Sequence, residues 1–386
     1  MSTSFFAASL TVPARLRVNA YADKGLTNDP DASRASSRGR RWALRALVLL
    51  TLLVSAQVEA ATNYVFPTNL PAGCVSNGSS ATSPPTQLYT CGALTLAASD
   101  AIILTGVTQI TINGDFNTGA SARLNASGNS ANLTITVTGT TYLGDYTILH
   151  GNIVGTNNAT GTITTGANSE VVGNLTTTEA GVINVGNGGS VTGDLNTKSG
   201  AINVGDNATV DGSLLSSLAG AITVGVNAKV SGSISSTGTG SGSGAGAITI
   251  GDNSVIAGGI STNTGAITVQ VGSKVGGNIV TNDGAITVAT NVNVSGSVCT
   301  GNSGAITIGA SANVGGNVET AKAGAITVGT KANVGGGVTV HGAGAKTIAA
   351  DATVGERIGS ACGVGAAPPS PAPRIISRDW RQLFLR

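Results

Sequence analysis

The chain has 386 residues, a formal net charge of +2 and 57 glycines; 41% of it is hydrophobic, 10% charged and 3% aromatic. Disorder goes with low hydrophobicity and high charge, so this composition argues for an ordered structure built from Gly, Ala, Thr and Val. Residues 1–60 hold 8 of the 20 basic and 4 of the 18 acidic residues, which leaves 12 and 14, a net charge of −2 beyond the leader and no electrostatic case for nucleic acid.

The first 37 residues are polar and patternless. Arg38-Gly39-Arg40-Arg41 then precedes an apolar run from Ala43 to Ala56, and Val58-Glu59-Ala60 offers a small-residue cleavage site. This is the order of a secretory signal, and the apolar run is too short for an ordinary membrane span. The expectation is an exported protein (periplasmic, cell-surface or extracellular) cleaved after Ala60, with an uncleaved anchor as the competing reading.

Residues 61–138 are strand-like but irregular: Thr62–Pro67, Ala93–Leu96, Ile110–Ile112 and Leu133–Val137. Together with the first repeat they hold Tyr64, Phe66, Tyr89, Phe116, Tyr142 and Tyr146. This stretch reads as an N-terminal β cap. All four cysteines follow the signal, and in an oxidising compartment the sequence favours a Cys74–Cys91 bridge. Cys299 and Cys362 pair only if the segment after the last repeat folds back over about three coils, and their spacing suits no metal site.

A unit of about 20 residues fills residues 139–358, with starts at Gly139, Gly161, Gly181, Gly200, Gly220, Gly246, Gly265, Gly284, Gly304, Gly324 and Gly344. It reads Gly-Ala-Ile-Thr-Val-Gly, a short turn, then Val-x-Gly-x-Val or Ile. A fixed period carrying two alternating apolar runs predicts a β-solenoid of about 11 regular coils. In the unit from Gly220, strand parity turns Ile222, Val224, Ala228, Val230, Gly232 and Ile234 inward, and Ala221, Thr223, Lys229, Ser231 and Ser233 outward. An antiparallel sandwich, the alternative, would not need the same inward column in every unit. Left-handed helices favour an 18-residue coil, so the period favours a right-handed one. A Gly/Ser-rich insert, residues 236–245, reads as a surface loop.

In the last unit Lys346 stands where the inward column has Ile, and Glu356 where it has Gly. They read as a polar end cap, pairing with each other or reaching the open end, or else as charges splayed to solvent in a degenerate repeat. A Pro-rich linker follows at 359–373, then a basic tail at 374–386. On a helix Ile376, Trp380, Leu383 and Phe384 share one face while Arg374, Arg378 and Arg381 line another, which suits docking to a partner groove or a membrane surface. The competing reading is an unstructured end.

The order Asn63-Tyr64-Val65-Phe66-Pro67, Leu70-Pro71-Ala72-Gly73-Cys74, Tyr89-Thr90-Cys91 and Ile110–Phe116, followed by Gly-Ala-Ile-Thr-Val-Gly coils, resembles exported proteins of mannose-sensitive haemagglutinin (type IV) pilus biogenesis. The repeats alone resemble bactofilins, the polymer-forming cytoskeletal β-helices, which are cytosolic. The first resemblance implies contact with pilus or cell-envelope components, and the second implies polymerisation. Pilus relatives carry further C-terminal domains where this chain has a short tail.

The outward charges are isolated, and the closest pair, Asp206 and Asp211, has no histidine near it in sequence. No acid–base pair, nucleophile, metal set or cofactor motif is nominated, and the expectation is a protein that is not an enzyme and has no cofactor. No Phe, Trp or Tyr occurs from Thr147 through Asp379, so aromatic platforms for sugars are missing along the repeats. One outward column, however, is threonine in seven consecutive units: Thr223, Thr249, Thr268, Thr287, Thr307, Thr327 and Thr347. Threonine is a good strand residue, and the column also reads as sheet stabilisation alone. A flat, small, uncharged face favours lateral packing with further copies of the chain or with a matrix. The main expectation is a structural or adhesion scaffold; binding of ice or another ordered surface is the alternative, and a bactofilin-like polymer the third reading.

Overall fold

Each repeat contributes three short strands, one to each of three parallel sheets. A computed structural model describes residues 60–156, 161–218, 220–238 and 246–356. The segment expected to be a secretory signal, the Pro-rich linker and the tail with Ile376, Trp380, Leu383 and Phe384 lie outside the described residues, as does Cys362.

In the unit from Gly220 the strands are Ile222–Val224, Lys229–Val230 and Ile234–Ser236. Their parity is that of the sequence: Ile222, Val224, Ala228, Val230 and Ile234 are buried, whereas Thr223 and Lys229 are exposed. Each strand pairs in register with its equivalents one coil before and after, as in Ile202↔Ile222↔Ile248, Val210↔Val230↔Ile256 and Leu214↔Ile234↔Ile260. Like residues therefore stack on like, and each coil closes the backbone hydrogen bonds of the next. One coil buries only a handful of side chains, at about 1.5–3 kcal/mol per fully buried Val or Ile, against about 1–2 kcal/mol of backbone entropy per ordered residue. Stability is thus a property of the stack.

Among the described residues the first sheet has 14 strands, from Asn63–Phe66 to Thr353–Val354; the second has 13, from Leu94–Leu96 to Lys346–Ile348; the third has 14, from Cys74–Ser79 to Val338–Val340. We call them faces 1, 2 and 3. The fold is an all-β parallel solenoid of about 13 coils. The sequence expectation of two alternating runs per unit is resolved into three strands, because the second run bends at its inward glycine. Gly232 lies between Lys229–Val230 and Ile234–Ser236, and its N–H donates to the Gly212 carbonyl at 3.0 Å.

Residues 61–138, expected as an irregular cap, belong to the same three sheets. Leu94–Leu96 and Phe116–Thr118 pair on face 2, Ala101–Leu104 and Arg123–Leu124 on face 1, and Thr108–Ile112 and Leu133–Val137 on face 3. Phe66, Phe116, Leu124, Leu133 and Ile135 fill the inward positions that Ile and Val hold later. Larger side chains and unequal turns hide the period there. The departure from parallel pairing is at the start, where Cys74–Ser79 runs antiparallel to Gln87–Cys91. Cys74 and Cys91 are joined in a disulfide across that pair, and Phe66 packs edge-on against Tyr89 with ring centroids 4.7 Å apart. Burial pushes the Tyr89 phenol above its ordinary range.

Among the described residues no coil follows the last strands, Lys346–Ile348 and Thr353–Val354. Lys346 pairs in register with Ile326, so it stands in the inward column, yet the whole strand Lys346–Ile348 is exposed. No further described coil covers it. Lys346 Nζ donates to the Val338 carbonyl at 3.4 Å, which lets the amine leave the apolar column while its stem stays on it. Glu356 is exposed. Among the described residues the ion pairs are Lys198–Glu179 and His341–Glu319, and Lys346 is not joined to Glu356.

Candidate functional site

Face 2 carries the threonine column, and the sheet register brings its members together. Thr223, Thr249, Thr268, Thr287, Thr307, Thr327 and Thr347 are each paired with the next across successive parallel strands. Thr249 and Thr268 are half-buried and the other five exposed. The hydroxyls repeat at the strand spacing, about 4.8 Å. Among the described residues none of the seven has a side-chain hydrogen-bond partner in the protein, unlike the earlier coils, where Asn203 Nδ2 donates to Asn184 Oδ1 at 2.8 Å and Asn184 Nδ2 to Thr164 Oγ1 at 3.2 Å.

Beside this column runs a second one, Ala221, Ala247, Ala266, Ala285, Ala305, Ala325 and Ala345, all exposed. Neither column carries a charge. The result is a strip seven coils long, one methyl or one Thr side chain deep, on a backbone held rigid by its own ladder. At the other end of face 2 the outward column holds a large exposed side chain, Tyr142, which pairs across to Thr164, with the exposed Tyr146 in the turn that follows.

The other two faces differ. On face 1 the outward column is Thr209, Lys229, Val255, Lys274, Asn293, Asn313 and Asn333, and its asparagines bond in series, Asn333 to Asn313 at 2.7 Å and Asn313 to Asn293 at 3.3 Å. On face 3 it is Leu215, Ser235, Ser261, Val280, Cys299, Glu319 and Thr339.

Asp206 and Asp211, the pair noted in the sequence, act between coils rather than together, as do Asp194 and Asp115. Asp206 Oδ1 accepts from the Val226 N–H at 2.8 Å, Asp211 Oδ1 from the Ser231 hydroxyl at 3.0 Å, and Asp194 Oδ1 from the Ser213 N–H at 2.7 Å. Asp115 Oδ1 accepts from both the N–H and the hydroxyl of Thr140, at 2.8 and 2.9 Å, and those bonds hold its carboxyl below the usual range. Each carboxylate thus staples one coil to the next.

Two arrangements escaped the sequence reading. One is a buried hydroxyl column at the corner between faces 3 and 2: Thr177, Thr197, Ser216, Ser236, Thr262, Thr281, Thr300 and Thr320. Several of these hydroxyls donate to the carbonyl of the glycine opening the next strand, as Thr177 to Gly181 at 2.8 Å and Thr300 to Gly304 at 3.1 Å. Its signal was the recurring Leu/Ile/Val-x-Thr/Ser. The other is His341 Nε2 within 2.5 Å of Glu319 Oε1, one coil apart. A separation close to one period, 22 residues, was the clue to it. His150, the other histidine, places Nδ1 3.0 Å from the Gly128 carbonyl.

Comparison with protein-family models, with curated proteins and with solved structures finds no match. The fold itself is that of a solenoid repeat protein.

Proposed function

We propose that this chain is an exported, non-enzymatic scaffold that makes lateral contacts through face 2, with further copies of itself or with a cell-envelope or matrix surface. The observation that carries the reading is the in-register strip of seven threonines flanked by seven exposed alanines. A flat surface of small side chains excludes water by close approach over its length, without aromatic anchors, and it costs little side-chain entropy because Ala and Thr have little to lose. The resemblance of the N-terminal motifs to pilus-biogenesis proteins supports an envelope setting and makes pilus components the first heterologous partners to test. The basic tail is a second proposed contact, for a membrane surface or a partner protein.

Directed cross-linking tests the face. Ala285→Cys lies in the strip, and Ser295→Cys lies exposed on the side of face 1. Under mild oxidation Ala285→Cys is expected to yield covalent dimers and Ser295→Cys few. Equal yields from both positions would remove face 2 as the contact.

A second reading rests on the unbonded hydroxyls of the same column: threonines at fixed spacing can order water, which suits binding to ice. Thermal hysteresis that disappears in a Thr268→Arg, Thr287→Arg double variant would favour it. No hysteresis at millimolar concentration would exclude it.

A further inference from the structure

Face 1 carries a recess near the start of the solenoid, away from the threonine strip. Asn63, Ala101 and Arg123 stack there in register. The strand Ala101–Leu104 runs on for two residues beyond its pairing with Arg123–Leu124, which stops at Leu124. Asn125 then takes a left-handed conformation, with φ 50°. It opens a corner longer than those of later coils: residues 125–132 lie between Leu124 and Leu133, where the unit from Gly220 has only 231–233 between Val230 and Ile234. Ile103 therefore has Val65 as its strand partner on one side and no strand residue on the other, and it is 42% exposed. The space left there is a half-open cavity of about 450 Å³, within the range of small-molecule sites.

The long corner is held in place. Asn125 is buried, and its amide donates to the Asn129 carbonyl at 2.9 Å and to the His150 carbonyl at 2.8 Å. The Gly128 N–H closes onto the Asn125 carbonyl at 2.8 Å. The recess is thus preformed, and binding does not have to order it.

Its chemistry is one-sided. Ile103 and Leu104 make an apolar wall, and Arg123 is the one charged residue that lines the cavity. Among the described residues the Arg123 guanidinium has no ion pair or hydrogen bond, and the N–H groups of Ala126 and Ser127, on the opposite wall, donate to nothing in the protein. Neither neighbouring carboxylate answers the charge. Asp100 is occupied by the N–H groups of Thr62 at 2.7 Å and Ala97 at 2.8 Å, and Glu170 stands two coils further along the column.

We propose that this recess binds a small free organic acid, one carboxylate on a compact apolar body. Arg123 and the loop N–H groups take the carboxylate, and Ile103 and Leu104 take the body. A planar guanidinium meets a carboxylate through two parallel hydrogen bonds. An inorganic anion would answer the charge and leave the apolar wall unused.

Calorimetric titration of the full chain with 4-phenylbutyrate at low salt tests the site. Saturable binding in the millimolar range or tighter is expected. 4-Phenylbutyramide keeps the body and loses the charge, and acetate keeps the charge and loses the body; each is expected to bind about tenfold more weakly or worse. Arg123→Gln and Ile103→Glu are expected to weaken binding by about the same factor at an unchanged urea midpoint, and Lys274→Gln, which removes an exposed cation elsewhere on face 1, to leave it unchanged. Absence of saturable binding by 4-phenylbutyrate at millimolar concentration would overturn the proposal. So would equal binding of the amide, equal affinity in Arg123→Gln, or uptake of the peptide acetyl-Ala-Ala-Leu through its free carboxylate in place of the free acid.

Discussion

The N–H of Gly232 donates to the carbonyl of Gly212 at 3.0 Å, one coil below, and a Cβ on Gly232 would overlap that carbonyl. The same approach recurs up the stack, with Gly258 donating to Gly232 at 3.1 Å and Gly277 to Gly258 at 2.9 Å. The glycine column is therefore fixed by the distance between coils, not by flexibility. Gly232→Ala is expected to destabilise the solenoid by about 1–3 kcal/mol, the usual range for overpacking. Gly92→Ala, where an added Cβ meets nothing within 4 Å, is expected to stay within about 0.5 kcal/mol. Urea unfolding of both variants checks the contrast.

Hydroxyls inside and outside the solenoid are expected to behave in opposite ways. Thr281 Oγ1 is buried, accepts from the Gly284 N–H at 3.0 Å and donates to the Gly265 carbonyl at 3.2 Å. Thr281→Val leaves both backbone groups without that partner and is expected to cost about 1–3 kcal/mol. Thr287→Val, in the exposed outward column, is expected to change stability by no more than about 0.5 kcal/mol. Comparable losses at both positions would mean that the outward column is itself structural.

Acid is expected to loosen the join between the coils at Asp115. Its folded-state pKa is depressed by the two bonds from Thr140, so the carboxylate binds its proton less readily in the folded chain than in the unfolded one. That contribution is fully present above the unfolded value, about 3.9, and is lost as pH falls through the lower folded value. The stability gap between wild type and Asp115→Asn is expected to be constant at neutral pH and to close at low pH. A gap that widens on acidification would contradict the assignment.

Much of this was legible in the sequence because each inward column repeats. Ile222, Val224, Val230 and Ile234 announce their direction by parity alone, and the seven threonines fall on one face for the same reason. Two things were hidden. In residues 61–138 Phe116 and Leu124 replace the later Ile and Val, and turns of unequal length break the period, so coils there looked like a cap. On face 3 parity gives direction but not exposure: Cys299 and Glu319 point outward and are nonetheless covered. The pairing of Glu319 with His341 needed the coil-to-coil register, which local sequence does not contain.

The lateral contact through face 2 is the central claim, and sedimentation velocity on residues 61–386, across a hundredfold range of concentration, tests it most directly. Wild type is expected to shift to larger species as concentration rises, and the Thr268→Arg, Thr287→Arg double variant to remain a single slow species with an unchanged urea midpoint. A wild-type chain that sediments as one monomeric species throughout, or a charged variant that assembles equally well, would contradict the account.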